Sequence, residues 1–243
     1  MDAKGWVITD AVASFFKGAY MQQPLFSIQP NFNSATDAHA AKDLQRIQRY
    51  RKWTLRLGVV LLLALVCFTR AGFDRNSVWH HTIQVIGMMA IMVCIVGRGW
   101  CSLYIGGRKK TELVTSGPYS MCRNPLYVFS FIGAFGAGAQ TGSITIGLVS
   151  AVLCWTVFRH VVLREEAMLA ERFGRLFKRY VNTVPRFRPT WFRWRDEKEI
   201  LCRPALFLAT TRDAMWFWIA IPVLEGVKLL QDHGWLTPVF WLP

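Results

Sequence analysis

A chain of 243 residues has room for one large domain or two small ones. Hydrophobic residues make up 53%, mean hydropathy is +0.24, and only 18% of residues are charged, against about 25% in a soluble domain. That excludes disorder and a collagen-like or disulfide-rich secreted class and leaves an integral membrane protein. The formal charge is +14, from 29 Lys+Arg against 15 Asp+Glu. Its position along the chain decides between nucleic acid and lipid as the partner. The six cysteines show no C-x-x-C and no neighbouring His pair, so neither a metal site nor a disulfide framework is expected. The first twenty residues contain Asp2 and Asp10 and lack a continuous apolar core, which argues against a cleavable signal peptide.

In chain order, Trp6, Ala13, Phe16 and Tyr20 recur at roughly helical spacing and predict an interfacial amphipathic helix. Residues 21–41, with Pro24 and Pro30, read as a loop. Between Arg56 and Arg70 lies LGVVLLLALVCFT. It becomes a first span once Trp53, Thr54 and Leu55 are added and Arg56 snorkels to the headgroups. A second span begins near His81 and ends near Gly97, inside a charge-free interval between Arg75 and Arg98. From Asn124 to Phe158 no residue is formally charged, and one helix needs only about 20 residues to cross. The interval predicts a helical hairpin whose tip falls near Gln140, among Gly136, Gly138, Thr141, Gly142 and Ser143. A fifth candidate, Ala214 to Leu230, contains Pro222 and Glu225; crossing, lying in the interface and breaking midway all stay open.

The expected fold is therefore all-α: a polytopic integral membrane helical bundle of about five transmembrane helices, with a helical hairpin and an N-terminal interfacial helix. It divides into an interfacial segment (1–50), two spans (51–104), a core (105–195) and a C-terminal membrane-associated extension (196–243). Residues 42–56, 98–123 and 164–213 hold 23 of the 29 Lys/Arg, which puts all three on the cytoplasmic side. Topology and anionic lipid then account for the charge, and nucleic acid is not needed.

Polar and turn-forming residues concentrate in residues 111–128 and 164–189, which the hairpin brings together. Gly117-Pro118-Tyr119 is a turn signal, and Arg123-Asn124-Pro125 starts the third span, with Asn124 as N-cap and Pro125 in the first turn. A purely structural account of that stretch, with Arg123 snorkelling and Tyr127 at the interface, stays open. Glu165 and Glu166 point about 100° apart on a helix and cannot both face one partner. One can pair with Arg172 or Arg123 while the other faces a pocket; a solvated acidic turn is the alternative.

The pattern L-V-x-x-G-P-Y-x-x-x-R-N-P-L-Y, a charge-free hairpin, then R-E-E-x-x-L-x-x-x-F-G-x-x-(F/Y)-x-x-Y, resembles the isoprenylcysteine carboxyl methyltransferase and phospholipid methyltransferase superfamily. The resemblance covers about residues 105–189. It implies a multi-span enzyme that binds S-adenosylmethionine (SAM) on the cytoplasmic side and methylates a lipid or lipidated acceptor. It further implies that Leu113, Val114, Gly117, Tyr119, Asn124, Pro125 and Tyr127 line the cofactor pocket, with Glu165 and Glu166 at the paired carboxylates. Tyr180 and Arg186 fall in the family's C-terminal segment. The prenylcysteine enzymes usually carry Arg-His-Pro where this chain has Arg123-Asn124-Pro125, and an amide cannot act as a titrating base.

The residue types suit SAM: carboxylates for an ammonium or diol, Arg123 with Lys109 and Lys110 for a carboxylate, and Tyr119 and Tyr127 as aromatic walls. An ionised acceptor needs an arginine clamp, for which Arg186 and Arg123 are candidates; Glu166 joins Arg186 as a catalytic candidate. Arg159 sits in the apolar run LCWTVFRHVVL, where a lipid-facing charge costs about 2.5–3.5 kcal/mol unless it snorkels or pairs. Snorkelling is one reading; a place for Arg159 or His160 at a lateral opening that meets the acceptor headgroup is the other. Two competing functions are an NADPH-dependent membrane reductase of the sterol reductase type and a non-enzymatic membrane scaffold. The acceptor's identity and the oligomeric state stay open. If the hairpin crosses the membrane, cysteines placed at Lys110 and at Gln140 will react with an impermeant maleimide from opposite sides. Labelling of both from one side would refute it.

Overall fold

The computed structural model describes residues 66–72, 77–106, 112–200, 202–235, 237 and 240–242. The expected interfacial helix, the 21–41 loop, most of the first span, and Arg108, Lys109 and Lys110 lie outside the described residues. Within the described residues, after a helical end at 66–68, five helices follow one another: α1 (Val78–Ile105), the single-turn α2 (Pro118–Met121), α3 (Pro125–Ala139), α4 (Ile144–Thr183) and α5 (Pro204–Asp232). A 3-10 turn, Trp191–Arg193, lies between α4 and α5.

Among the described residues the fold is all-α as expected, apart from one short extended pair. Thr69–Ala71 (β1) pairs in parallel with Phe240–Leu242 (β2), Thr69 opposite Phe240 and Ala71 opposite Leu242. The first span was expected to run as helix through Thr69, but the helical residues stop at Phe68. The side-chain amide of Gln231 on α5 donates to the carbonyls of Val66, Cys67 and Thr69, each at 3.1 Å. Those carbonyls are thus satisfied without a continuing helix.

Among the described residues, α1 and α4 are the two helices long and apolar enough to cross a membrane. α1 starts at Ser77, whose hydroxyl accepts from the Trp79 amide at 3.3 Å. It runs eight residues beyond the expected end at Gly97, to Ile105. Arg98 does not end the helix because its Nη1 donates to Ser130 Oγ of α3 at 2.6 Å. α3 is apolar but only 15 residues long, about 22 Å of helix against about 30 Å of hydrocarbon. α5 runs through Pro222 without a break, as 29 residues.

The hairpin forms as expected, with its turn at Gln140–Ser143. Ser143 caps α4 by accepting from Ile146 N, and Gln140 is almost fully buried. The Gln140 carbonyl accepts from Lys228 Nζ at 2.7 Å, and that ammonium also meets Glu225 Oε1 at 2.6 Å. Glu225, read from sequence as a weakness in a span, is part of the clamp that fixes the tip to α5. α4 is not one straight rod: Gly174 has φ 48 and ψ −116, a conformation costly for a residue with a Cβ. The bend returns Phe177 and Tyr180 to pack with Val184 and Leu113.

α1 and α3 approach through small residues, which lets two helix backbones come close in the membrane. A Cβ on Gly136 would lie 2.5 Å from Gly87 O and 2.9 Å from Ile91 N, both backbone atoms. Gly136→Val should therefore destabilise the bundle by at least about 1–3 kcal/mol. Thermal unfolding in detergent will read this as a lower Tm, and an unchanged Tm would show that the interface is looser than described.

Candidate active site

At the end of the bundle opposite Gln140, the chain from 112 to 124 links α1 to α3, and the segment after α4 folds back across it. Gly117, at φ 56, sets the backbone against the Tyr104 ring. Pro118 then opens the single turn of α2, with Ser120 Oγ donating to Gly117 O at 2.7 Å. Tyr180 Oη on α4 donates to Tyr119 O at 2.6 Å, a buried bond that pins this turn to the helix.

The returning segment is tied down along its length. Arg123 N donates to Pro185 O at 2.9 Å, Thr190 N to Met121 O at 3.1 Å, and Gly117 N to Arg195 O at 2.7 Å. Arg195 N donates to Ser120 Oγ at 3.0 Å. Trp194 stacks on Trp100 of α1 with ring centroids 5.5 Å apart, and Tyr104 Oη donates to Asp196 Oδ1 at 2.9 Å. Residues 185–196 thus form a strap over the 116–124 loop.

Glu166 is the electrostatic centre. Its Oε2 accepts from Arg186 Nε at 3.0 Å and Nη2 at 2.7 Å, and lies 3.6 Å from Arg123 Nη1. Its Oε1 accepts from Asn124 Nδ2 at 3.0 Å. Of the two readings open for Arg123, snorkelling and pairing with a glutamate, the structure shows the pairing: the side chain is buried at 9% exposure, because the carboxylate offers a partner that lipid headgroups would otherwise supply. Asn124 stands at the N-cap of α3 but makes no side-chain capping bond. Its amide is drawn to Glu166 and, at 3.4 Å, to Arg186 O. Glu166 is thus held by groups from two other parts of the chain. Glu165 is half-buried and acts on the electrostatic environment of Tyr119.

The remaining expected site residues divide into two groups. Leu113 packs on Phe177 and Tyr180, and Val114 on Tyr104 and Tyr119. Pro125 is buried at the start of α3, and Tyr127 rests on Phe158 with ring centroids 4.9 Å apart. All lie on the loop or the hairpin ends around Glu166. Arg159 stands apart: it is exposed, with its guanidinium 5.4 Å from the Trp155 ring one turn back on α4. His160 is likewise exposed. The strap residues Trp194, Arg195 and Asp196, and Trp100, Tyr104, Ser116 and Ser120 beneath them, were not singled out from the sequence.

Among the described residues, four buried polar atoms of the 116–123 loop have no hydrogen-bond partner: Ser116 Oγ, Tyr119 Oη, and Nε and Nη1 of Arg123. Burial, with Cys101, Tyr180 and Glu165 nearby, raises the Tyr119 hydroxyl well above its ordinary range, so it stays a protonated donor. Cys122 is pushed up to about 11 by burial, against the lowering effects of the Asn124 backbone and Arg123. It stays a thiol at neutral pH and donates to Arg186 O. Nucleophilic chemistry there is disfavoured.

The family model for phospholipid methyltransferase matches residues 77–176. The nickel-cobalt-cadmium resistance protein NccN of Alcaligenes xylosoxydans xylosoxydans is 36% identical over 186 residues, covering 76% of this chain and 87% of that protein. The cobalt-zinc-cadmium resistance protein CzcN of Cupriavidus metallidurans is 35% identical, covering 81% and 90%. The protein-S-isoprenylcysteine O-methyltransferase of Mus musculus is 36% identical over 135 residues, covering 55% of this chain and 40% of that enzyme. This chain belongs to the isoprenylcysteine carboxyl methyltransferase and phospholipid methyltransferase superfamily. No solved structure matches it. Membership supports methyltransferase activity and a membrane location at the coarse level. The family-model match ends before Tyr180 and Arg186, yet the structure of this superfamily member joins both to the matched region.

Glu166→Gln keeps the shape of the side chain but leaves two guanidinium groups without a counter-charge. Loss of the charged bonds should cost about 3 kcal/mol, read as a lower unfolding midpoint in detergent. A variant as stable as the parent would show that the arginines find water instead.

Proposed function

We propose that this protein transfers a methyl group from SAM to a lipophilic acceptor at the cytoplasmic leaflet. The observation that carries the reading is the set of buried, unpartnered polar atoms Ser116 Oγ, Tyr119 Oη and Arg123 Nε beside the half-buried Glu165. Buried polar groups in a folded protein normally have partners, and a ligand with an ammonium, a diol and a carboxylate suits this set. Glu165 takes the ammonium or ribose diol, Tyr119 and Ser116 offer hydroxyl bonds, and Arg123 offers a cation to the carboxylate. Glu166, already engaged by Arg186, Arg123 and Asn124, positions these groups; a direct bond from it to SAM, the sequence-based expectation, fits less well.

Bound SAM would supply an electrophilic methyl on a sulfonium. For an in-line displacement the chain's part is alignment, and holding two reactants in place is worth much of the barrier. The Glu166 ion-pair cluster and the strap give the loop that rigidity. A soluble, charged cofactor and an acceptor with its tails in hydrocarbon meet only at the interface. The basic segments at the α1 and α4 ends favour the cytoplasmic side by the positive-inside rule. Arg186 is the cation nearest to hand for an anionic acceptor, whereas Arg159 faces outward, where it serves lipid contact.

Radiolabelled SAM incubated with membranes, followed by separate lipid and protein extraction, will show which acceptor takes the label. Two relatives are named for metal resistance, so growth of a deletion strain on nickel, cobalt and cadmium is the matching physiological readout. Glu165→Gln should weaken SAM binding roughly tenfold or more, the equivalent of one charged hydrogen bond, with little change in Tm. Titration calorimetry against SAM and NADPH measures this. Unaltered SAM affinity would remove Glu165 from the site, and NADPH binding in place of SAM would overturn the reading.

A further inference from the structure

The strap carries a surface that the ion-pair cluster does not use. Phe192 is 101% exposed and Trp191 68% exposed, on a segment otherwise tied down by backbone bonds. Arg188, Arg193 and Arg195 are exposed around them. The acidic neighbour Asp196 is exposed but engaged, accepting from Tyr104 Oη and from the Glu197 amide, and the exposed Glu197 and Glu199 follow just beyond the turn. Aromatic rings interleaved with arginines are the composition of a membrane–water boundary.

The height of the strap on the bundle agrees. Trp194 stacks on Trp100, and Trp100 lies five residues before the end of α1, itself long and apolar enough to span a membrane. At 1.5 Å per residue, Trp100 sits about 8 Å from that helix end, and Trp194, stacked on it, lies near the same level, that of the headgroups. Arginine charge on an exposed aromatic turn at that level matches an anionic leaflet, where each basic residue adds to the attraction.

We propose that residues 188–195 are a lipid-docking strap. Trp191 and Phe192 enter the headgroup layer of an anionic leaflet, and Arg188, Arg193 and Arg195 meet lipid phosphates. The bonds from Gly117 to Arg195, from Arg195 to Ser120 and from Thr190 to Met121 carry that contact to the loop, which a docked strap holds shut. The lipid contact stands by itself; that it governs cofactor binding rests on the methyl-transfer reading.

The test uses the full chain reconstituted in phosphatidylcholine vesicles, with or without phosphatidylglycerol. Phe192→Cys, in a background where Cys67, Cys154 and Cys202 are serine, carries a nitroxide. Collision with oxygen against a water-soluble nickel chelate then reports its depth. With phosphatidylglycerol the label should sit at headgroup depth, and the Gly117 and Thr190 amides should exchange hydrogen at least about five-fold more slowly, one arginine's share of the attraction. Trp191→Ser/Phe192→Ser should abolish that slowing without altering α1 exchange. A label open to the nickel chelate in both mixtures overturns the lipid contact. An inserted label with unchanged Gly117 exchange overturns the fastening of the loop. Neither readout requires SAM or a methyl acceptor.

Discussion

A carboxylate taken out of water must find positive charge or give up its own, and Glu166 finds it in two arginines from different parts of the chain. Arg123 precedes α3 and Arg186 follows α4, while Asn124 fills the other carboxylate oxygen. One side chain thereby joins the loop, the long helix and the strap. The pairing also leaves an excess of one positive charge within the cluster, which suits an anionic partner better than a neutral one. Such a cluster is worth most where water is scarce, because screening is weak there.

The bundle beneath supplies the fixed reference. Small residues bring α1 and α3 to backbone contact, and the Lys228 ammonium holds the far turn at Gln140. The two ends of the hairpin are thus held by unlike means: a polar clamp on α5 at one end and an ion-pair network at the other. Movement of the loop is then confined to one end of the molecule, with the hairpin as its base.

How far the sequence foretold this depends on whether a feature is local. The turn at Gln140 was legible because glycine, serine and threonine interrupt a charge-free run, and Pro125 marks a helix start wherever it stands. For Arg123 the sequence leaves snorkelling and pairing with a glutamate side by side, and for Asn124 it offers only a cap, because both roles depend on Glu166, 43 and 42 residues away. The strap has no periodicity to betray it; its order comes from backbone bonds to a loop about 70 residues earlier. The β1–β2 pair is three residues on each side and lies at opposite ends of the described chain, beyond any local pattern. The F-G pair in the recognised motif was visible, but only the positive φ of Gly174 shows that it turns the helix.

The placement of Arg186 has a consequence for biogenesis. It is 20 residues downstream of Glu166, so at about 5–20 residues per second the ribosome delivers it one to four seconds later. During that interval Arg123, already made, is the partner within reach for a carboxylate next to the bilayer. Arg123 is thus the first of the two arginines available to Glu166, and Arg186 completes the pairing after α4. The parallel clasp between Thr69–Ala71 and Phe240–Leu242 closes later still, after the last turns of α5 have been synthesised. The strap is made after every residue of the loop to which it is fastened.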